Sequence, residues 1–333
     1  MNTGSGLFSK RAFLFVFVAI FILASLGGHV FFIGVKQNEA LTNAVLRLKQ
    51  NEALSDTVLR LSNVIGSNKT KDNNNQGIYK YTMSQMLKYE NDFEPMDDPG
   101  LIRYIQQRYL VYPTQMPVDL KGPEEHTAQV NQSQYVDKLL KGKRNGFFVE
   151  AGAHNGIFLS NTYFFEKYRG WTGLLMEPNT EPFQNILRRR QGSYAVNACI
   201  GTAKKVQKVK FFTTIANEYS MISYTGGKSG VTNVLTSIPV YTILKAIEVD
   251  TVDFFSLDIE GLELDVLKTI PWDKMRVNVF AIEYRAAPGT PDIVAATKKR
   301  ENDFKEFFAQ LGIYDHVTTL SALDLVFARK DLK

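Results

Sequence analysis

Two short apolar segments, about a hundred residues apart, both end in acidic residues and glycine, and this pairing constrains the fold most. Residues 147–156 read Phe-Phe-Val-Glu-Ala-Gly-Ala-His-Asn-Gly, and residues 254–263 read Phe-Phe-Ser-Leu-Asp-Ile-Glu-Gly-Leu-Glu. Apolar runs of this length are typical of buried parallel strands, because both faces of such a strand are covered. Open parallel α/β sheets bind ligands at the carboxyl ends of their strands, where these acids and glycines fall. The pattern predicts a cofactor-binding enzyme fold.

Strand-like and helix-like stretches alternate from residue 146 onward. Strands are predicted at residues 147–150, 173–177, 194–199, 254–258 and 277–283, and helices at residues 160–168, 181–190, 263–269 and 292–311. This alternation predicts a parallel sheet with crossover helices on both faces. Two further runs, at residues 314–317 and 323–329, predict an antiparallel hairpin at the sheet edge.

The loop at residues 150–156 leads from the first strand into a helix. Gly152 and Gly156 permit a tight turn and a close approach of a ligand to the backbone, and His154 lies between them. Glu177, 21 residues after Gly156, ends the next strand, where a carboxylate can accept both hydroxyls of a ribose. A complete Gly-x-Gly-x-x-Gly motif is missing, which argues against a pyrophosphate-binding dehydrogenase. The glycines alone would also suit a purely structural turn.

The second motif places Asp258 at the end of its strand and Glu260 on the same side after the turn. These two can orient a substrate hydroxyl or amine, act as a base, or hold a divalent cation through oxygen ligands. We assign them to the site without a resident metal. Glu263 opens the next helix, where a carboxylate suits the positive end of the helix dipole. Glu283 ends the fifth strand and either completes this wall or is a satisfied polar group at the rim of the sheet.

Composition excludes several other classes of protein. The net charge of +5 is mild, and no arginine-aromatic signature or zinc-ligand spacing is present, so no nucleic-acid partner is predicted. The single cysteine, Cys199, excludes an intramolecular disulfide and a multi-cysteine metal site. Because Cys199 ends an apolar strand, we expect a buried small residue there and not a nucleophile.

Residues 12–35 carry no charged side chain and are long enough to cross a hydrocarbon core of about 30 Å. They predict a single transmembrane helix that anchors the chain in a lipid bilayer. A cleaved signal peptide is the alternative, although its apolar region is usually only about 7–15 residues long. Lys10 and Arg11 precede the run, which predicts a type II protein with its carboxyl-terminal part in the secretory lumen or outside the cell. Sequons at Asn68 and Asn131 are compatible with this topology.

A thirteen-residue repeat follows the anchor, since residues 37–48 recur as residues 50–61. Its leucines and valines fall on one helical stripe, which predicts a helical stalk over residues 36–65. The stalk either pairs with a helix of another chain, as in a homo-oligomer, or is a lone amphipathic spacer. Residues 66–77 predict a flexible linker, and residues 78–127 a lead-in that packs on the catalytic domain. Residues 1–11 are then a cytoplasmic tail.

Together these motifs resemble the FkbM-type methyltransferase family, within the class I S-adenosylmethionine-dependent enzymes. The family's Asp/Glu-x-Gly-Ala-x-x-Gly pattern is matched at residues 150–156 and its Glu-Pro at residues 177–178. Its third-strand stretch is matched at residues 197–201 and its Asp-x-Glu-Gly-x-Glu signature at residues 258–263. The resemblance places the domain at residues 128–333. It implies a Rossmann-like fold with a mostly parallel seven-stranded sheet, helices on both faces and a terminal antiparallel hairpin.

The resemblance also implies S-adenosylmethionine as cofactor and methyl transfer to the oxygen of an unknown acceptor. The implied cofactor-binding residues are Glu150, Gly152, Ala153, His154 and Gly156 around the methionine portion, and Glu177 at the ribose. The candidates for the catalytic wall are Asp258, Glu260 and Glu283. The family often has asparagine at the position of His154.

Residues 160–166 and 170–173, together with the anchor, resemble the Star-like branch of this family. That branch is associated with the endoplasmic reticulum, the Golgi and endosomes, and with export of epidermal-growth-factor-receptor ligands. Two functions are therefore implied. One is methyl transfer, and the other is non-catalytic handling of a transmembrane cargo protein by a methyltransferase-like fold.

Overall fold

The apolar runs of the chain form one large mixed sheet flanked by helices. A computed structural model of the protein describes residues 83–91, 94–115, 125–213, 220–222, 231–286 and 290–332. The helices there are α1 (Met83–Asn91), α2 (Pro99–Arg108), α3 (Gln132–Leu139), α4 (Tyr163–Tyr168), α5 (Thr180–Arg189), α6 (Val240–Ala246), α7 (Glu263–Thr269) and α8 (Ile293–Leu311). The strands are β1 (Leu110–Val111), β2 (Phe147–Ala151), β3 (Thr172–Met176), β4 (Tyr194–Val196), β5 (Cys199–Ile200), β6 (Gln207–Thr213), β7 (Ser220–Ile222), β8 (Val231–Ile238), β9 (Thr251–Leu257), β10 (Arg276–Glu283), β11 (Tyr314–Leu320) and β12 (Asp324–Arg329).

The large sheet has the strand order β1-β4-β3-β2-β9-β10-β12-β11. The five strands from β4 to β10 run parallel, whereas β12 is antiparallel to both of its neighbours. The predicted terminal hairpin is therefore present as β11 and β12. Because β2 pairs with β9, the carboxyl ends of the two motif strands lie side by side.

The large sheet has eight strands, where the family resemblance implied seven. The additional strand, β1, pairs antiparallel with β4 at the edge of the sheet. It buries Leu110, which is 8% exposed. This strand belongs to the lead-in segment, before the region that the resemblance covers, so the motifs carried no signal for it.

A second sheet of four strands, in the order β5-β8-β6-β7, was not predicted. One strand was expected over residues 194–199, but β4 ends at Val196 and β5 begins at Cys199 in the second sheet. Asn197 holds the chain at this break, since its side-chain amide donates to the carbonyls of Glu177 and Pro178 at 2.7 and 3.1 Å. Cys199 is buried, in agreement with the prediction.

Local signals explain the bounds of the longest helix. The Asp292 carboxylate accepts a hydrogen bond from the backbone N–H of Ala295 at 3.1 Å and so caps the start of α8. Gly312, with a φ of +71°, takes the left-handed conformation that ends it. The bounds of α8 and α7 therefore follow the predicted ranges closely.

The lead-in contributes to the main core through α2, where Leu101, Tyr104 and Ile105 are buried in the same cluster as Ile243 and Leu244 of α6. Within the described part of the chain, no helix is long and apolar enough to cross a membrane. The predicted anchor at residues 12–35, the stalk and the linker lie outside the described residues.

Candidate active site

A cavity of about 400 Å³ opens at the carboxyl ends of the parallel strands. Its lining changes from apolar to acidic in the order of the strands. The apolar end, beyond β3 and around β5, is formed by Met176, Pro178, Ala198, Cys199, Ile200 and Phe211. The acidic end, beyond β9 and β10, is formed by Asp258, Glu260 and Glu283. Among the described residues, no lysine or arginine lines this cavity.

The loop after β2 turns tightly against the end of β9. Gly152 has a φ of +84°, and a β-carbon at this position would collide with the backbone carbonyl of Asp258. The N–H groups of Gly152 and Ala153 both donate to the carbonyl of Met176, each at 3.1 Å. Glycine is therefore required here by both backbone conformation and space. The loop exposes its backbone to the middle of the cavity.

Glu177 lies between the apolar end and this loop. It is 5% exposed, and its two oxygens accept hydrogen bonds from the backbone N–H groups of His154 at 2.9 Å and Asn179 at 2.7 Å. Burial raises the pKa of Glu177 to about 7, although the two N–H groups act in the opposite direction. Burial also raises the pKa of the neighbouring Cys199 to about 12, so this thiol stays neutral and is a poor nucleophile.

Asp258 and Glu283 lie close together at the acidic end, with carboxyl oxygens within 4.8 Å of each other. Burial raises the pKa of both groups, and nearby negative charge raises it further, from Glu263 for Asp258 and from Asp258 for Glu283. Two carboxyl groups this close disfavour each other's ionisation, so the pair retains a proton at a pH where an isolated carboxyl group has lost it.

Glu263 at the start of α7 braces the turn that carries Glu260. One Glu263 oxygen accepts from the N–H groups of Ile259 at 2.9 Å and Gly261 at 3.0 Å, and the other accepts from Arg300 Nη2 at 2.6 Å. The turn leaves Glu260 with a φ of +62° and its side chain in the cavity wall. Burial, followed by the charge of Asp258, raises the pKa of Glu260 to about 7.

Carboxylate oxygens of Asp258, Glu263 and Glu283 lie within 4.8 Å of one another, a grouping that can hold a cation. Glu263 is, however, already neutralised by Arg300, whose Nη1 also donates to the Gly261 carbonyl at 2.8 Å. A metal ion would have to share that carboxylate with a guanidinium group. The cluster therefore suits proton transfer and hydrogen bonding better than metal binding.

Seven of the nine residues predicted from the sequence line the cavity, namely Gly152, Ala153, His154, Glu177, Asp258, Glu260 and Glu283. Glu150 and Gly156 do not. The Glu150 carboxylate accepts from Ser160 Oγ at 2.9 Å, from the Asn161 N–H at 2.7 Å and from Thr162 Oγ1 at 2.7 Å. The prediction that Glu150 contacts the cofactor directly is therefore corrected. Its carboxylate instead holds residues 160–162 in position.

Gly156 is likewise turned away from the cavity and towards Arg190. The Gly156 carbonyl accepts from Arg190 Nη1 at 2.7 Å, and Arg190 also donates to Glu166, Ser160 and Thr162. This arginine is 1% exposed and lies 3.6 Å from a Glu150 oxygen. Gly156 was predicted to contact a ligand. In the structure it instead contacts the buried Arg190, which supports the loop.

Sequence reasoning missed five polar residues of the cavity wall, namely Gln129, Gln132, Ser160, Asn161 and Asn179; the contacts of Gln132 and Asn161 tie the wall to its surroundings. Gln132 Nε2 donates to the buried carboxyl group of Asp324, whose pKa is raised to about 7 by burial and then by the charge of Asp258. Asn161 Nδ2 donates to Ser256 Oγ at 2.9 Å. Neither residue belongs to an acidic or glycine motif, so only the tertiary structure places them at the site.

The domain has a Rossmann-like sheet with a cavity at the ends of its central strands, which is the usual place for a ligand in open α/β folds. Residues 150–311 match the model of the methyltransferase FkbM domain, which indicates an S-adenosylmethionine-dependent methyltransferase-like domain in this stretch. The match includes every predicted site residue from Glu150 to Glu283.

Several solved structures are similar to this chain at low identity. The METTL16 MTase domain (crystal form 2) has 12% identity and a TM-score of 0.37, with 70% of this chain and 80% of that chain covered. The fibrillarin pre-rRNA processing protein of Methanococcus jannaschii has 14% identity and a TM-score of 0.34, with coverages of 56% and 68%. The N-terminal domain of human METTL16 in complex with SAH has 12% identity and a TM-score of 0.33, with coverages of 70% and 82%. Among curated proteins, no match is found.

Proposed function

We propose that this domain binds S-adenosylmethionine and transfers its methyl group to the oxygen of an acceptor hydroxyl. The observation that carries the proposal is the order of surfaces along the cavity: apolar wall, single carboxylate, glycine loop, acidic cluster. The cofactor presents an apolar base, a ribose with two hydroxyls, and a methionine end with a sulfonium and an ammonium group, in the same order. Each surface therefore meets a cofactor group of complementary chemistry.

The residues present fit the cofactor. Each Glu177 oxygen accepts one backbone N–H, and a carboxylate has about four acceptor positions, so two remain for the ribose hydroxyls. The absent side chain at Gly152 lets the loop pack against the Asp258 carbonyl, where a β-carbon has no room, and the loop lines the cavity in this position. The adenine would lie against Pro178 and Ile200, and the sulfonium near Asp258.

Asp258 is our candidate for the general base. When bound, S-adenosylmethionine supplies a methyl carbon that the acceptor oxygen attacks, while the carbon–sulfur electron pair remains on sulfur as a neutral thioether. Asp258 would take the acceptor's hydroxyl proton, because burial raises its pKa and makes it a stronger base than an ordinary carboxylate. Glu260 would orient the hydroxyl. The lack of lysine and arginine in the described wall disfavours an anionic acceptor.

We further propose that residues 12–35 anchor this domain in a membrane with type II topology, supported by the uncharged run and by Lys10 and Arg11 before it. Asn131 of the second sequon is exposed and accessible to a glycan. The expected result in cells is a domain protected from protease in intact vesicles, with a glycan shift that Asn131→Gln removes. Digestion of the domain in sealed vesicles would contradict the topology.

Calorimetric titration of S-adenosylmethionine into the full-length chain in mild detergent tests the proposed function. We expect micromolar binding that Glu177→Gln weakens at least tenfold. Glu181→Gln is the matched control, because Glu181 is an exposed acid four residues further on, and this variant should bind like wild type. Absence of binding at millimolar cofactor by a folded chain would contradict the methyltransferase function and favour non-catalytic cargo handling.

A further inference from the structure

Asn161 lies between β2 and α4, and its side chain forms part of the cavity wall. It is 6% exposed. Its backbone N–H donates to Glu150 at 2.7 Å, and its Nδ2 donates to Ser256 Oγ at 2.9 Å. Glu150 and Ser256 face each other across the β2–β9 pair. The side chain is therefore held over the junction of the two motif strands.

The other end of the same amide is unused. Asn161 Oδ1 is buried and has no hydrogen-bond partner within the described part of the chain. Buried polar atoms are nearly always paired in folded proteins, so an unpaired acceptor that is fixed in place on a residue of the cavity wall points to a ligand that donates.

We propose that Asn161 Oδ1 accepts a hydrogen bond from the α-ammonium group at the methionine end of the cofactor. This inference rests on the proposed function, which places the ribose at Glu177 and the methionine end towards β2 and β9. Ser256 on β9 pairs with the amide and is two residues before Asp258, which directly follows this strand, so Asn161 lies on the methionine side of the cavity.

Two groups of the methionine end could lie near Asn161 Oδ1, the ammonium and the carboxylate. The residues of the cavity wall favour the ammonium. An ammonium group only donates and matches a carbonyl oxygen, whereas a carboxylate only accepts and would meet oxygen with oxygen. The nearby Asp258 and Glu260 favour a cationic group electrostatically, and no lysine or arginine in the described lining would attract an anion. Asn161 is thus a binding residue that distinguishes the complete cofactor from adenosine derivatives without the amino group.

The test compares three ligands by calorimetric titration into the full-length chain: S-adenosylhomocysteine, its analogue without the amino group, and its analogue without the carboxyl group. The variants are Asn161→Leu, which removes the acceptor at similar size, and Asn161→Asp, which keeps one and can still pair with Ser256. Circular dichroism and thermal unfolding confirm that each variant is folded.

We expect Asn161→Leu to weaken S-adenosylhomocysteine and the decarboxylated analogue by about 10- to 100-fold, the effect of losing a hydrogen bond to a charged group. The same variant should leave the affinity for the analogue without the amino group unchanged, and Asn161→Asp should retain the preference for the amino group.

If Asn161→Leu instead weakens the binding of all three ligands equally, Asn161 has only a structural role. The inference is then overturned while cofactor binding stands. If the loss follows the carboxyl group, the amide is oriented the other way and the inference is wrong. If wild type binds none of the three, the proposed function and this inference both fail.

Discussion

The backbone N–H of His154 donates a hydrogen bond to Oε2 of Glu177 at 2.9 Å, which joins the loop after β2 to the end of β3. The Asn179 N–H holds the other oxygen at 2.7 Å. The carboxylate that we expect to bind the ribose is thus oriented by the loop beside it before any ligand arrives. A group held in this way loses little freedom on binding, which favours affinity.

Cofactor binding should depend on pH through Glu177. Because burial raises the pKa of this carboxyl group to about 7, it is partly protonated at neutral pH and becomes a full acceptor only as the pH rises. We expect the affinity for S-adenosylhomocysteine to increase by about tenfold between pH 6 and pH 8, following the ionised fraction. Titrations of wild type and Glu177→Gln at three pH values measure this. An equally steep profile in Glu177→Gln would assign the dependence to another group.

Gly152→Ala should disrupt the loop more than a comparable substitution elsewhere. The added β-carbon meets the carbonyl of Asp258 as well as the strain of a positive φ. Gly142 is the matched control, because it has a φ of +66° with no atom within 4 Å of an added β-carbon. Urea denaturation should show a loss of about 1–2 kcal/mol for Gly142→Ala, the cost of the backbone conformation alone.

We expect a clearly larger loss for Gly152→Ala, together with loss of cofactor binding, because the loop must move away from β9. If the two variants lose the same free energy of unfolding, the close approach of Gly152 to Asp258 does not contribute to stability.

Among the arginines of α5 and its carboxyl end, Arg190 should cause the largest loss of stability when it is replaced. It is 1% exposed and links Glu166, Gly156, Ser160 and Thr162. Replacing one partner of a buried ion pair leaves the other charge unpaired, which costs about 3–5 kcal/mol. Arg190→Leu should lower the free energy of unfolding by this amount, while Arg189→Leu, at an exposed neighbouring position, should stay within about 0.5 kcal/mol of wild type. Similar urea midpoints for the two variants would contradict the supporting role.

The sequence predicted the site at the level of strands but not the support around it. Asp258 and Glu177 were identified because a buried run that ends in an acid marks the carboxyl edge of a parallel sheet. Glu150 ends its strand in the same way, yet its side chain turns to residues 160–162, and periodicity cannot distinguish the two directions. The supporting roles of the buried Arg190 and the partly exposed Arg300 left no local signal, because arginine is exposed unless tertiary partners neutralise it.

The second sheet was missed for a related reason. Val234 on β8 is 66% exposed and Lys208 and Lys210 alternate along β6, so these strands lack the continuous apolar run by which the central strands were recognised. The break at Asn197 depends on hydrogen bonds to Glu177 and Pro178, 20 and 19 residues away in sequence. Contacts of this range are outside the reach of a local pattern.

Glu283→Gln should change how stability depends on pH. Burial and the charge of Asp258 keep Glu283 protonated in the folded protein, whereas the unfolded chain loses this proton above about pH 4.5. Folding therefore binds a proton, so the stability that Glu283 contributes at low pH is lost as the pH rises, at up to about 1.4 kcal/mol per pH unit.

Urea denaturation between pH 5 and pH 7 should show this decline in wild type and a shallower one in Glu283→Gln, because glutamine is neutral throughout. Glu306→Gln, at an exposed position on α8, serves as the control and should follow wild type. Parallel profiles for wild type and Glu283→Gln would show that Glu283 is ionised in the folded state.

The most direct test of the account is a crystal structure of the protein with S-adenosylhomocysteine. We predict both ribose hydroxyls within hydrogen-bond distance of Glu177, the adenine against Pro178 and Ile200, and the sulfur towards Asp258. An empty cavity at saturating ligand, or a ligand with its adenine at the acidic end, would contradict the assignment of this cavity as a methyl-transfer site.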